Sequence, residues 1–117
     1  MLLICYPKCG TCRKAQKWLD EKGISYDYRD IKTDNPSEAE LAEWIRTSGL
    51  PVRKFFNTSG MLYRELQLKD RLPGMTEEEM ISLLASDGML VKRPIALYDG
   101  KVLVGFKEAE WASVITE

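Results

Sequence analysis

The chain has 117 residues, 44% hydrophobic and 30% charged, with a formal net charge of −1. That size and apolar content suit one compact domain with one core, and the near-neutral balance gives no support for a general polyanion-binding surface. Three cysteines and no histidine do not form a secreted disulfide scaffold. They also fall short of the four ligands of a structural zinc site, and exclude both a Cys-His pair and a Ser-His-Asp triad. No apolar run approaches membrane-spanning length, and Met1–Cys5 is too short for a signal-peptide core before Pro7-Lys8, so the expected compartment is the cytoplasm.

Leu2 to Tyr6 reads as a short buried strand and Pro7 to Thr11 as a turn. A helix is expected from about Cys12 to Lys22, with Ala15, Trp18 and Leu19 on one face and Gly23 as its stop. Ile24 to Arg29 alternates as a second strand. Strand, helix, strand in this span is the βαβ signature, which implies parallel pairing.

After the Asp34-Asn35-Pro36 loop, Ser37 with Glu40 makes a capping box that opens a helix carrying Leu41, Trp44 and Ile45. Gly49 and Pro51 end it. Val52 to Phe56 reads as a helical turn, and Met61 to Leu66 as a short helix. Thr76 with Glu79 is a second capping box, leading a helix with Met80, Leu83 and Leu84 inward. A hairpin follows, Ile95 to Tyr98 and Lys101 to Gly105, with Asp99-Gly100 as a type I′ turn. Lys107 to Ile115 closes the pattern as a helix with Trp111, Val114 and Ile115 on its apolar stripe. The expected fold is one α/β domain over 1–117. It is a thioredoxin-like mixed sheet of four strands, with a central helical insertion at about 34–88.

The chemistry concentrates in Tyr6-Pro7-Lys8-Cys9-Gly10-Thr11-Cys12-Arg13-Lys14. A Cys-x-x-Cys at a strand-to-helix junction lies near the unsatisfied N–H groups of the first helical turn, which favour thiolate over thiol. Cys9, ahead of the helix and nearer solvent, is expected to be the attacking thiolate. Cys12, one turn in, is expected to resolve the product as a Cys9–Cys12 disulfide. Arg13 is placed to lower a thiol pKa or hold an anion, and the backbone N–H groups of Gly10 and Thr11 could line an anion pocket. Cys5 reads as core packing. No metal is expected.

Several separate stretches resemble the ArsC/Spx family of thioredoxin-like proteins, which includes arsenate reductases and YffB. They are Tyr6-x-x-x-Cys9-Gly10-Thr11-Cys12-Arg13-Lys14-Ala15 with Trp18-Leu19; Asn57-Thr58-Ser59-Gly60 with Tyr63 and Leu66; Lys92-Arg93-Pro94-Ile95; and Val104-Gly105-Phe106. The resemblance implies a catalytic thiolate at Cys9. It also implies an oxyanion-binding arginine at Arg93, set beside Cys9 by a cis proline at Pro94. Two departures matter: Cys12 stands where the arsenate reductases have serine, and Phe106 stands where they have an arginine. Arg64 is a further cation whose role the sequence leaves open.

The leading expectation is a cytoplasmic thiol–disulfide oxidoreductase acting on a protein disulfide, a small thiol such as glutathione in mixed disulfide, or an oxyanion. It would bind no cofactor and draw electrons from glutathione or glutaredoxin. Strict arsenate reduction is one alternative. The other is an Spx-type redox-sensing regulator that binds the RNA polymerase α-subunit, with Gly49 matching a glycine of the Spx contact region. No direct nucleic-acid or membrane partner is expected.

Overall fold

The computed structural model describes residues 1–115, which fall in two compact units. The first joins Met1–Asp30 to the chain from Arg93 onward, and the second is Ile31–Lys92. The first unit holds all four strands, β1 (Leu2–Cys5), β2 (Asp27–Asp30), β3 (Ile95–Tyr98) and β4 (Lys101–Val104), with helices α1 (Gly10–Glu21) and α6 (Glu108–Ile115). The sheet runs β2-β1-β3-β4. β1 pairs parallel with β2 and antiparallel with β3, and β3 pairs antiparallel with β4. This is the mixed four-stranded α/β sheet read from chain order.

Register explains the core. Leu3 lies opposite Ala96, and Ala96 opposite Leu103. Because alternate strand residues share a face, these three form one apolar floor, which Cys5 extends. Cys12, Ala15, Trp18 and Leu19 of α1 pack on it with Trp111 and Ile115 of α6. Phe106, just past β4, closes an aromatic cluster, its ring centroid 6.1 Å from Trp18 and 5.0 Å from Trp111, both tilted or edge-on.

Local chemistry sets the boundaries. The hairpin turns through Asp99 at φ 49 and Gly100 at φ 75, the paired positive values of a type I′ turn. α1 begins two residues earlier than the apolar pattern indicates, because Cys9 is its N-cap and Gly10 and Thr11 already have helical geometry. β2 begins at Asp27 rather than Ile24. Gly23, at φ 70, lets the chain fold back, and the Ile24 N–H donates to the Leu19 carbonyl at 3.0 Å, so Ile24 caps the helix.

The second unit contains α2 (Glu38–Ser48), α3 (Met61–Glu65), α4 (Leu68–Arg71) and α5 (Glu77–Ser86), with 3₁₀ turns at Val52–Phe55, Leu72–Gly74 and Gly88–Leu90. Both capping boxes form: Ser37 with Glu40, and Thr76 with Glu79. α2 packs against α5. Gly49 ends α2 in the left-handed region. The sequence did not mark α4, which starts after Gln67 at φ 53. Gly88 is buried so tightly that a Cβ there would overlap the Ile31 carbonyl and meet Asn35. Among the described residues, no helix is long and apolar enough to cross a membrane.

Candidate active site

β1 delivers the chain to Cys5, and three loop residues carry it to Cys9. The Cys9 N–H donates to the Tyr6 carbonyl at 3.0 Å, which tightens the loop, and the Cys9 carbonyl accepts the first helical bond from Arg13 at 3.1 Å. Cys9 is half-buried, with extended backbone, and its side chain makes no capping bond. Its sulfur is therefore left for other partners. Cys12, three residues on, is fully buried, as is Cys5 at the end of the neighbouring strand. All three cysteines are free thiols.

The structure brings these sulfurs together. The Cys12 sulfur accepts from the Cys5 thiol, from the Tyr6 main-chain N–H and from the Cys9 thiol, and the Arg93 charge adds its field. Burial opposes ionisation, but the donors outweigh it and hold the Cys12 thiol well below its ordinary range. Cys5 moves the other way. Its bond to Cys12, its burial and the negative charge on Cys12 push it far up, so it keeps its proton. On β2, desolvation and then the fields of Cys5, Asp30, Cys12 and Cys9 raise Tyr28 to about 12.

Arg93 and Pro94 are joined by a cis peptide bond, as the resemblance implied. The Arg93 guanidinium lies over the Tyr6 ring, 5.5 Å from its centroid, and its field reaches both Cys5 and Cys12. Pro94 is buried, and its carbonyl accepts from the Gly105 N–H at 2.8 Å. The Gly105 carbonyl in turn accepts from the Trp111 indole at 3.0 Å. Arg13 is exposed and donates from Nε to the Pro7 carbonyl at 3.2 Å, bracing the loop. Gly10 and Thr11 are exposed in the first turn of α1, where helix N–H groups face outward. Arg64 lies on α3 in the second unit.

Sequence reasoning missed two contributors. Tyr6 supplies both a ring under Arg93 and an N–H to Cys12. Cys5 is core, as expected, but its sulfur also bonds Cys12. The strand period held a clue, because Cys5 shares the Leu3 face that receives α1. Among the described residues, no group of three or more His, Cys, Asp or Glu side chains could hold a metal ion.

Such an arrangement suits thiol–disulfide exchange: one reachable thiol three residues ahead of a buried one, with the field of an arginine in range. Known proteins share its frame. The YusI protein of Bacillus subtilis is 56% identical over 106 residues, covering 91% of this chain and 90% of its own. The global transcriptional regulator Spx of Staphylococcus epidermidis is 30% identical over 105 residues, covering 89% and 78% respectively. Among solved structures, an ArsC family related protein from Bacteroides fragilis superposes with a TM-score of 0.93 at 57% identity, covering 96% of this chain and 94% of its own. The ArsC family model matches residues 5–114, a span that takes in the three sulfurs, the Arg93-Pro94 pair and all of β2, β3 and β4, and the chain belongs to the ArsC family.

Proposed function

We propose that the protein is a thiol–disulfide oxidoreductase in which Cys9 attacks and Cys12 resolves. The observation that carries this reading is the placement of a half-exposed thiol, Cys9 at the N-cap of α1, three residues ahead of a buried one, Cys12 in its first turn. Access selects the nucleophile, because an incoming disulfide can meet Cys9 but not Cys12. The Cys9 sulfur attacks one substrate sulfur. A Cys9–substrate bond forms, the substrate S–S bond breaks, and the first thiolate leaves with the electron pair. The Cys9 proton passes to that leaving group. Cys12, as thiolate, then attacks the Cys9 sulfur, forming the Cys9–Cys12 bond, breaking the Cys9–substrate bond and releasing the second substrate sulfur as a thiolate, which takes its proton from solvent. The dithiol loses two electrons and the substrate gains them.

Arg93, over Tyr6, offers a planar cation to a carboxylate or oxyanion on the substrate. This favours an acidic thiol such as glutathione in mixed disulfide, or a protein disulfide. Glutathione or glutaredoxin would return the electrons. Gly10 and Thr11 present the helix start to the same anion, and Arg13 holds the loop. Arsenate as substrate is disfavoured by Phe106, whose ring packs against Trp18 and Trp111 where the reductases carry a cation.

Mild oxidation followed by peptide mass spectrometry tests the reading. The expected product is an internal Cys9–Cys12 disulfide; free thiols or another pairing would sink it. The likeness to Spx supports a second reading, a redox-sensing regulator. Gly49 alone adds little to it, since its left-handed backbone already requires glycine at the end of α2. A pull-down with the carboxy-terminal domain of the polymerase α-subunit, run in both redox states, separates the two readings.

A further inference from the structure

The residues assigned to thiol chemistry belong to the first unit, and the second, Ile31–Lys92, has a cavity of its own. Local structure builds it. In the 3₁₀ turn Val52–Phe55, residues three apart share a face, so Val52 and Phe55 are buried together and Arg53 and Lys54 are left exposed side by side. The turn is anchored from behind: the Lys92 N–H donates to the Phe55 carbonyl and the Asn57 N–H to the Leu90 carbonyl, both at 2.7 Å. Gln67, at φ 53, separates α3 from α4, and Tyr63 of the one and Lys69 of the other line the same cavity as the turn. The Tyr63 ring is braced by Phe56, their centroids 6.4 Å apart. Leu72 and Pro73 of the next 3₁₀ turn and Met80 of α5 complete an apolar wall. The cavity holds about 490 Å³, within the roughly 300–1,000 Å³ usual for small-molecule sites.

Charge selects the occupant. The chain carries 17 basic and 18 acidic side chains, yet the cavity is lined by Arg53, Lys54 and Lys69 and, among the described residues, by no carboxylate. Glu79, one residue before Met80, is engaged in its capping box with Thr76. Three like charges around one concavity repel one another, and an anion among them relieves that repulsion. Arg53 offers a planar fork that suits paired phosphate oxygens, the two lysines offer point charges, and Thr58 adds a hydroxyl. A bare inorganic ion would leave the Tyr63 ring and the Leu72-Pro73 wall uncovered, so the fitting ligand also carries an apolar or aromatic body. We propose that this cavity binds a small organic phosphate ester, its anionic head among Arg53, Lys54 and Lys69 and its apolar body against Tyr63 and Leu72. The volume matches one small molecule rather than a length of chain. The proposal goes beyond the dithiol reading and is independent of it.

Phenyl phosphate is the probe. It is titrated into the isotope-labelled full chain while amide chemical shifts are followed. The amides of Arg53, Lys54, Thr58, Tyr63 and Lys69 should move together and saturate, with a dissociation constant below about 1 mM. Inorganic phosphate and benzyl alcohol, each lacking one half of the ligand, should bind at least about fivefold more weakly. Arg53→Gln and Lys69→Gln, both at exposed positions, should each weaken phenyl phosphate by about fivefold. Lys17→Gln, an exposed cation on α1, removes the same charge elsewhere and should leave binding unchanged. Several results would overturn the proposal. They are no saturation by about 10 mM, equal affinity for inorganic phosphate, or equal losses from Lys17→Gln and Arg53→Gln, which would mean general attraction by charge. A response confined to Cys9–Arg13 and Arg93 would put the anion at the thiol site instead. Tighter capture of a short phosphotyrosine peptide than of phenyl phosphate would make the cavity a protein-docking surface. Because none of these readouts needs turnover, the cavity and the oxidoreductase reading stand or fall separately.

Discussion

The resolving step should be nearly independent of pH above neutrality, and its size can be worked from the site. Cys12 is drawn from an ordinary 9.0 to about 6, first by the Cys5 bond and against the cost of burial. At about pH 7 that change raises its thiolate fraction from roughly 1% to roughly 90%. Nucleophilicity falls as basicity falls: with a Brønsted coefficient of about 0.4–0.5, three units cost roughly 15- to 30-fold. The net gain at neutrality is only about three- to sixfold. The diagnostic quantity is therefore the slope rather than the speed. Between about pH 7 and 8 the rate should change by roughly a tenth, whereas an ordinary thiol would quicken almost tenfold. Below about pH 6 it should drop toward tenfold per unit. Stopped-flow reaction with an aromatic disulfide, bis(nitrobenzoate) disulfide, separates the steps. Cys9 releases one nitrobenzoate thiolate in a phase that depends on probe concentration, and Cys12 releases the second in one that does not. A second phase that keeps climbing tenfold per unit through neutrality would refute the assignment of the thiolate to Cys12.

Other expectations follow from the same contacts. Cys12→Ser should release a single thiolate and leave a mixed disulfide on Cys9 detectable by mass, while Cys9→Ser should release none rapidly; equal behaviour of the two would reverse their roles. Phe106→Arg should lower stability by about 2–4 kcal/mol in urea unfolding, since the ring loses its edge contacts with Trp18 and Trp111, and an unchanged midpoint would mean the cluster is not structural. Gly88→Ala should cost about 3 kcal/mol or more, because its Cβ overlaps the Ile31 carbonyl, a backbone atom that cannot swing aside.

Local signals in the sequence were legible where the chemistry is local. Ser37 and Thr76 announce their helices through capping boxes, and Asp99-Gly100 announces its turn, because each depends on residues only a few positions apart. The apolar faces of α1 and α2 could be read from their spacing: Ala15, Trp18 and Leu19, and Leu41, Trp44 and Ile45, are all buried. The start of β2 was not legible, since it turns on which carbonyl Ile24 finds after Gly23. The site divides along the same line. The Cys9–Cys12 spacing and the Arg93-Pro94 pair are written in sequence, by pattern or by resemblance. The convergence of Cys5, Tyr6 and Arg93 on Cys12 is not, because it is made by strand register and by a segment some eighty residues away along the chain.

The residues that bear on Cys12, namely Cys5, Tyr6, Cys9 and Arg93, belong to the unit that carries the sheet. The proposed thiol chemistry is thus encoded in one half of the protein, and the helices of Ile31–Lys92 can diverge without rewriting it. A lineage built on this plan can change whom it meets while conserving how it reacts.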